Sequence, residues 1–152
     1  MPKILALSTA IPPHRMDQAF ARREMARLCK GQPHLERLIP VFDRTGVDTR
    51  HLVHEPEWYL ESRSFEERND EYAAKALELA QKAVRSCLAQ SGTRPDEIDQ
   101  IFVVTTTGLT TPSLDALLAG CLGLRADVRR SPLFGAGCAG GGGALIRACD
   151  VL

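Results

Sequence analysis

The sequence carries no excess charge: 19 Lys and Arg balance 19 Asp and Glu. With no net charge and no long Lys/Arg block, it lacks the electrostatic footprint that nucleic acid or an anionic membrane surface requires, so neither is an expected partner. Long hydrophobic runs are also missing. The best candidate for a targeting segment, residues 4–11, follows a single lysine, is interrupted by Ser8 and Thr9, and runs into Pro12 and Pro13. Within it, residues 4–10 read as a first buried strand followed by a turn, and the expected location is the cytoplasm. Cys29, Cys87, Cys121, Cys138 and Cys149 form no CxxC pair and are odd in number, which argues against a zinc site and against a secreted disulfide framework. Aromatics are few, one Trp, two Tyr and five Phe, but 44% of the 152 residues are hydrophobic, enough for one ordinary domain over residues 1–152.

The elements that are present alternate. Asp17 is a good N-cap for a helix through Ala19, Phe20, Arg23, Met25 and Leu28, interrupted at Gly31 and Pro33. Residues 34–67 mix Pro, Gly and charge and predict only a short helix near 35–42. From residue 70 to 91, Ala73, Ala76, Leu77, Ala80, Ala83, Val84, Cys87 and Leu88 recur at helical spacing, with Asn69 before and Gly92 after. Its alanines imply close approach to a neighbour in a layered α/β domain. Residues 101–105 are apolar and β-branched and predict a buried strand. Thr111 as N-cap with Pro112 at the first helical position predicts a helix ending at Gly123. Residues 128–134 predict another strand, and a glycine-rich turn launches a final helix over 139–152. A chain stopping inside that helix looks like part of a longer domain.

The turn between this last strand and helix is where chemistry concentrates. Cys138 lies among Gly135, Ala136, Gly137, Ala139 and the glycines 140–143. Glycine serves where a tight strand-to-helix turn strains the backbone or must approach a ligand closely. A sulfur at such a turn faces unpaired backbone N–H groups and the positive end of a helix dipole, both of which favour negative charge. The small neighbours leave room for a carbonyl compound, and sulfur suits acyl transfer between thioesters. Cys29, Cys87, Cys121 and Cys149 read instead as inert, buried small hydrophobes. A competing reading is nucleotide binding, since Gly135, Gly137 and Gly140 match G-x-G-x-x-G, but the following strand with its ribose-binding acid and the Gly-Lys-Ser/Thr of a phosphate loop are missing.

The run Gly137-Cys138-Ala139-Gly140-Gly141, preceded by Ser131-Pro132-Leu133-Phe134-Gly135, resembles the active-site cysteine segment of type III polyketide synthases, the chalcone and stilbene synthase family. Other stretches agree in order and spacing: residues 43–50 (DRTGVDTR) followed by His51-Leu52, Arg68-Asn69, Ile98-Asp99-Gln100-Ile101, and Thr105-Thr106-Thr107-Gly108 with Pro112-Ser113. The resemblance is nearest to bacterial alkylpyrone and alkylresorcinol synthases. It implies the N-terminal part of a thiolase-like, layered αβαβα fold, in which a cysteine accepts a starter acyl group from coenzyme A and condenses it with malonyl units after decarboxylation. Carried over by position, Cys138 is the nucleophile. Arg37 and Arg44 fall where basic residues contact coenzyme A phosphates, with Pro40 in place of a third; an ordinary solvated role for both arginines stays open. Thr106 and Thr107 match positions lining the cavity for the growing chain, and Thr111 matches a loop position reaching the partner subunit's cavity in the family's homodimer.

Acyl-CoA and malonyl-CoA are thus the expected substrates, with no separate cofactor and no metal. The family's cysteine works with a downstream histidine and asparagine, whereas His14, His34, His51 and His54 all lie upstream and match neither; a solvated or structural role is expected for each. This short chain is accordingly expected to be inactive alone as a condensing synthase. An initiating ketoacyl-acyl carrier protein synthase of the same fold and a non-catalytic coenzyme A or nucleotide-binding module are the alternatives. Starter, number of extensions, cyclisation and product are not encoded in these residues.

Overall fold

Hydrogen-bond pairing across 32 or more residues, rather than side-chain alternation, builds the first sheet of the protein. The structure, a computed structural model, describes residues 2–152. They divide into two compact units, Ile11–Ser62 and a second made of residues 2–10 with 63–152. In the first unit, β1 (His14–Asp17) ends in Asp17, whose Oδ1 accepts from the Phe20 N–H at 2.6 Å and so caps α1 (Gln18–Leu28), as expected. A helical segment near 35–42 exists but is broken into α2 (Pro33–Glu36) and a 3-10 turn, Ile39–Asp43, with Pro40 in its first positions. Proline has no N–H for an i−4 bond, so the helix restarts there instead of continuing. β2 (Thr49–Leu52) pairs antiparallel with β1, His14 opposite Leu52 and Asp17 opposite Thr49, and a further 3-10 turn spans Pro56–Leu60. The sequence pattern predicts neither strand.

The second unit holds the α/β part. α3 (Phe65–Ser91) is the long alanine-faced helix, but it starts before Asn69: Ser64 is its cap. The Ser64 N–H donates to Glu67 Oε2 at 2.8 Å and the Glu67 N–H to Ser64 Oγ at 3.1 Å, a reciprocal capping box. β3 (Gln100–Thr105), α4 (Leu114–Leu122) and β4 (Arg129–Phe134) form a parallel strand pair with α4 in the crossover, Gln100 opposite Arg129 and Thr105 opposite Phe134. α5 (Gly140–Asp150) follows. Leu114, Leu118 and Leu122 point from one stripe of α4 into Ala76, Leu77, Ala80 and Val84 of α3 and Ile101 and Val103 of β3. The alanines on α3 allow this close approach, and Leu118 is 2% exposed at its centre.

Three expectations are corrected. Residues 4–10 form no strand: Ile4, Leu5 and Leu7 are 73–82% exposed, because no ladder partner among the described residues takes up their backbone groups. α4 does not begin on Thr111 and Pro112. Ser113, itself a preferred cap residue, is extended at φ −65°, ψ 154°, and its carbonyl accepts from the N–H groups of Ala116 and Leu117. Of the four cysteines read as buried, Cys29 is buried, Cys87 is half-buried, and Cys121 and Cys149 are exposed on helix faces that nothing in the described residues covers.

The capping box yields a first expected result. Ser64→Ala should lower stability by about 1 kcal/mol, read from urea denaturation. The Ser64 backbone N–H, and then its hydroxyl, hold the Glu67 carboxyl below the ordinary carboxylate range. A lowered folded-state value means that this contribution is complete above the ordinary glutamate range and is lost as pH falls through the folded value. Amide protection factors in the first turn of α3 should fall over that acidic window in the wild type, and by less in the variant, which keeps the backbone N–H at position 64 but not the hydroxyl.

Candidate active site

Parallel pairing places the ends of β3 and β4 on one edge of the strand pair, and the loops leaving that edge carry the residues of interest. After Phe134 the ladder gains one more bond, Gly135 N–H to Thr105 O at 3.3 Å. The chain then turns through Gly135 (φ 76°) and Gly137 (φ 54°), both in the left-handed region that side-chain-bearing residues avoid. Cys138 occupies the middle of a 3-10 turn, Gly137–Ala139, directly before α5, and is exposed. No side chain caps α5. The Gly140 N–H donates to Gly137 O, and the other N–H groups of the first turn, which follows Cys138 directly in the chain, have no side-chain acceptor, an arrangement that suits a developing oxyanion or thiolate nearby. Gly140 is buried, and a Cβ there would come within 2.5 Å of Val104 Cγ1; its absence lets α5 seat on β3.

Thr106 and Thr107 follow β3 onto the same edge and are exposed, the Thr107 N–H donating to Thr105 Oγ1 at 3.3 Å. Thr111 is exposed in the loop before α4. No residue from 105 to 113 or from 134 to 143 is charged. At the opposite, amino edge, Arg125 lies between Asp99 and Asp127 at 3.0 and 2.9 Å. Its hydrogen bond holds the Asp127 carboxyl below the usual range. Ionised groups thus hold the amino edge, and hydroxyls, glycine and one thiol hold the carboxyl edge.

Arg37 and Arg44 belong to the other unit. Each is exposed, each closes a short helical turn at its C-terminal end, and neither side chain has an ion-pair or hydrogen-bond partner among the described residues. Cations at these ends suit the helix dipole, yet their forked donors remain available to an anion. Three of the four histidines have local contacts in that unit: His14 Nδ1 sits 2.9 Å from Glu55 Oε1, His51 Nδ1 is 3.2 Å from Pro12 O, and His54 stacks on Trp58 at 4.5 Å, while His34 is exposed. Among the described residues no group of His, Cys, Asp and Glu is arranged to hold a metal ion.

Two residues outside the expected set touch this edge. The Asn69 carboxamide makes paired hydrogen bonds with Leu109, Nδ2 to the carbonyl at 2.9 Å and Oδ1 from the N–H at 2.8 Å. The Tyr72 hydroxyl is hydrogen-bonded to Thr105 Oγ1, and its ring fills the space over Gly108. The available signal was an asparagine, a poor helix former, three residues ahead of one of only two tyrosines, a helical spacing.

A cysteine turn between a parallel strand and a helix, with that helix seated on the neighbouring strand, defines the chain as the N-terminal part of a thiolase-like α/β fold. The chain belongs to the chalcone and stilbene synthase family, matching "Chalcone and stilbene synthases, N-terminal domain" over residues 1–152. It is 38% identical over 151 residues to a 1,3,6,8-tetrahydroxynaphthalene synthase of Streptomyces peucetius subsp. caesius, covering 98% of this chain and 40% of that protein. The crystal structure of 1,3,6,8-tetrahydroxynaphthalene synthase from Streptomyces coelicolor A3(2), a bacterial type III polyketide synthase, superposes with a TM-score of 0.89 at 32% identity, covering 96% of this chain and 43% of that one. CsyB, an acylalkylpyrone synthase of Aspergillus oryzae solved with CoA-SH, gives 0.84 at 29% identity, covering 97% and 40%. The chain spans about 40% of the length of the curated relatives it matches. No helix among the described residues is long and apolar enough to cross a membrane.

Proposed function

We propose that this chain is the acyl-accepting part of a type III polyketide synthase, working in the cytoplasm as a homodimer on acyl-CoA and malonyl-CoA. The observation that carries the reading is the exposed Cys138, set before an uncapped helix on an edge of the fold that is otherwise uncharged. In the step assigned to it, the sulfur attacks the acyl-CoA carbonyl, the α5 N–H groups receive the charge forming on oxygen, and the bond to the coenzyme A sulfur breaks, leaving a Cys138 thioester. A malonyl unit that has lost carbon dioxide then attacks this thioester and releases the Cys138 sulfur. Thr106, Thr107 and Thr111 face the acyl chain, which an uncharged edge accepts without desolvating an ion. Arg37 and Arg44 hold coenzyme A phosphates, for which unpaired guanidinium groups are suited. Relatives support the same reading, one of them solved with CoA-SH. Condensation needs, besides this cysteine, a histidine and an asparagine that the resemblance places after it.

Intact mass spectrometry after incubation with lauroyl-CoA tests the acyl transfer. One lauroyl group should appear on the peptide containing Cys138, be removed by hydroxylamine, and be absent from Cys138→Ala. An unmodified wild-type chain that retains its helical circular dichroism, or an adduct that persists in Cys138→Ala, would overturn the reading.

A further inference from the structure

The loop that carries Thr106, Thr107 and Thr111 lies beyond the last rung of the β3–β4 ladder, so its backbone has lost the partner that fixed β3. Leu109, at its centre, is 57% exposed and supplies only a weak apolar anchor. Beyond the local Thr107 N–H to Thr105 Oγ1 bond, what holds it comes from α3. Asn69 offers Leu109 one donor and one acceptor, the two-point pairing that a neighbouring strand would have given it. Three residues on, and so on the same face of α3, Tyr72 bonds Thr105 and lies against Gly108. Asparagine is a poor choice for a helix interior, because its carboxamide competes for nearby backbone groups; here it is satisfied by backbone from another segment instead.

We propose that Asn69 is a positioning residue for substrate selection: its paired bonds to Leu109 fix the 106–111 loop against α3, and thereby set which acyl chains the threonine-lined edge accepts. This rests on the functional reading above, in which that loop faces the acyl chain. The nucleophile is positioned separately. Cys138 follows β4, and its helix seats on β3 through Gly140 and Val104, a contact that does not pass through Asn69. Loss of the clamp should therefore alter selection while leaving the sulfur's own reactivity in place.

Asn69→Ala is the decisive variant. Alanine is the better helix former, so a loosened loop cannot be blamed on fraying of α3. Hydrogen exchange at the Leu109 amide should quicken about tenfold, the scale set by two solvent-exposed hydrogen bonds. Alkylation of Cys138 by iodoacetamide should stay within about twofold of wild type, and the ratio of Cys138 acylation rates with hexanoyl- and lauroyl-CoA should change about fivefold or more, through KM rather than the rate at saturation. Asn69→Gln, which keeps both amide groups on a longer stem, should recover part of the Leu109 protection and of the selectivity. Unchanged Leu109 exchange in Asn69→Ala would overturn the proposal. So would faster exchange with unchanged chain-length selectivity, or an equal fall in alkylation and acylation for every chain length, which is what a general loss of structure produces. If wild-type Cys138 takes up no acyl group, the substrate-selection role falls with the functional reading, while Leu109 exchange still reports separately whether the clamp exists.

Discussion

Replacing Arg130 with methionine should destabilise the protein by about 3 kcal/mol, at the low end of the roughly 3–5 kcal/mol expected when a buried ion pair loses one member. The reason lies in Asp115, in the first turn of α4, which is 1% exposed. Its Oδ2 is 3.3 Å from Arg130 Nη1 on β4, while Oδ1 is buried with no hydrogen-bond partner among the described residues. The guanidinium is therefore the main charge compensating a carboxylate enclosed in protein. Its own side chain is 45% exposed, so water shares part of the task, and this places the estimate at the low end. Asp115→Leu in the Arg130→Met background should recover most of the loss, since an apolar pair removes the uncompensated charge beside Leu114 and Leu118. Urea denaturation followed by circular dichroism measures both. A loss below about 1 kcal/mol in the single variant would mean that the carboxylate is compensated by other groups.

Gly108→Ala should be nearly as damaging, by about 2–4 kcal/mol, combining overpacking of roughly 1–3 kcal/mol with one lost hydrogen bond of about 1 kcal/mol. A Cβ at this buried position would overlap the Tyr72 ring itself, and a ring that moves away surrenders its bond to Thr105. Gly142→Ala is the matched control. Nothing lies within 4 Å of its Cβ position, and it sits inside α5, so alanine there should stabilise by about 1 kcal/mol through helix propensity. In a Tyr72→Ala background the penalty at Gly108 should largely disappear. If it persists in full, the constraint lies in the backbone and not in the ring.

Where local chemistry decides structure, the chain could be read directly. Asp17, Gly92 and Gly123 bound helices at the expected places, and the β-branched residues of β3 lie in a strand. The start of α3 was readable too, because Ser64 and Glu67 spell a capping box, but the apolar repeat that becomes regular after Asn69 outweighed it. β1 and β2 are not legible because HRMD and TRHL are told apart from loops only by each other, and neither segment has an apolar face. Residues 4–10 show the converse, with strand composition but no ladder partner among the described residues. The same division runs through the candidate site. Cys138 announced itself by its glycines, whereas Asn69 and Tyr72 are ordinary helix residues until the loop 40 positions away from Asn69 folds back on them.

The four glycines that open α5 carry a mechanical consequence. Relative to alanines they forgo roughly 3–4 kcal/mol of intrinsic helix preference, so the first turn behind the thiol has little stiffness of its own. It borrows rigidity from the strand beneath it, on which Gly140 is seated against Val104. The order of the turn that presents the sulfur therefore depends on β3 holding its place, and the reactivity of Cys138 becomes a gauge of how firmly the sheet is held.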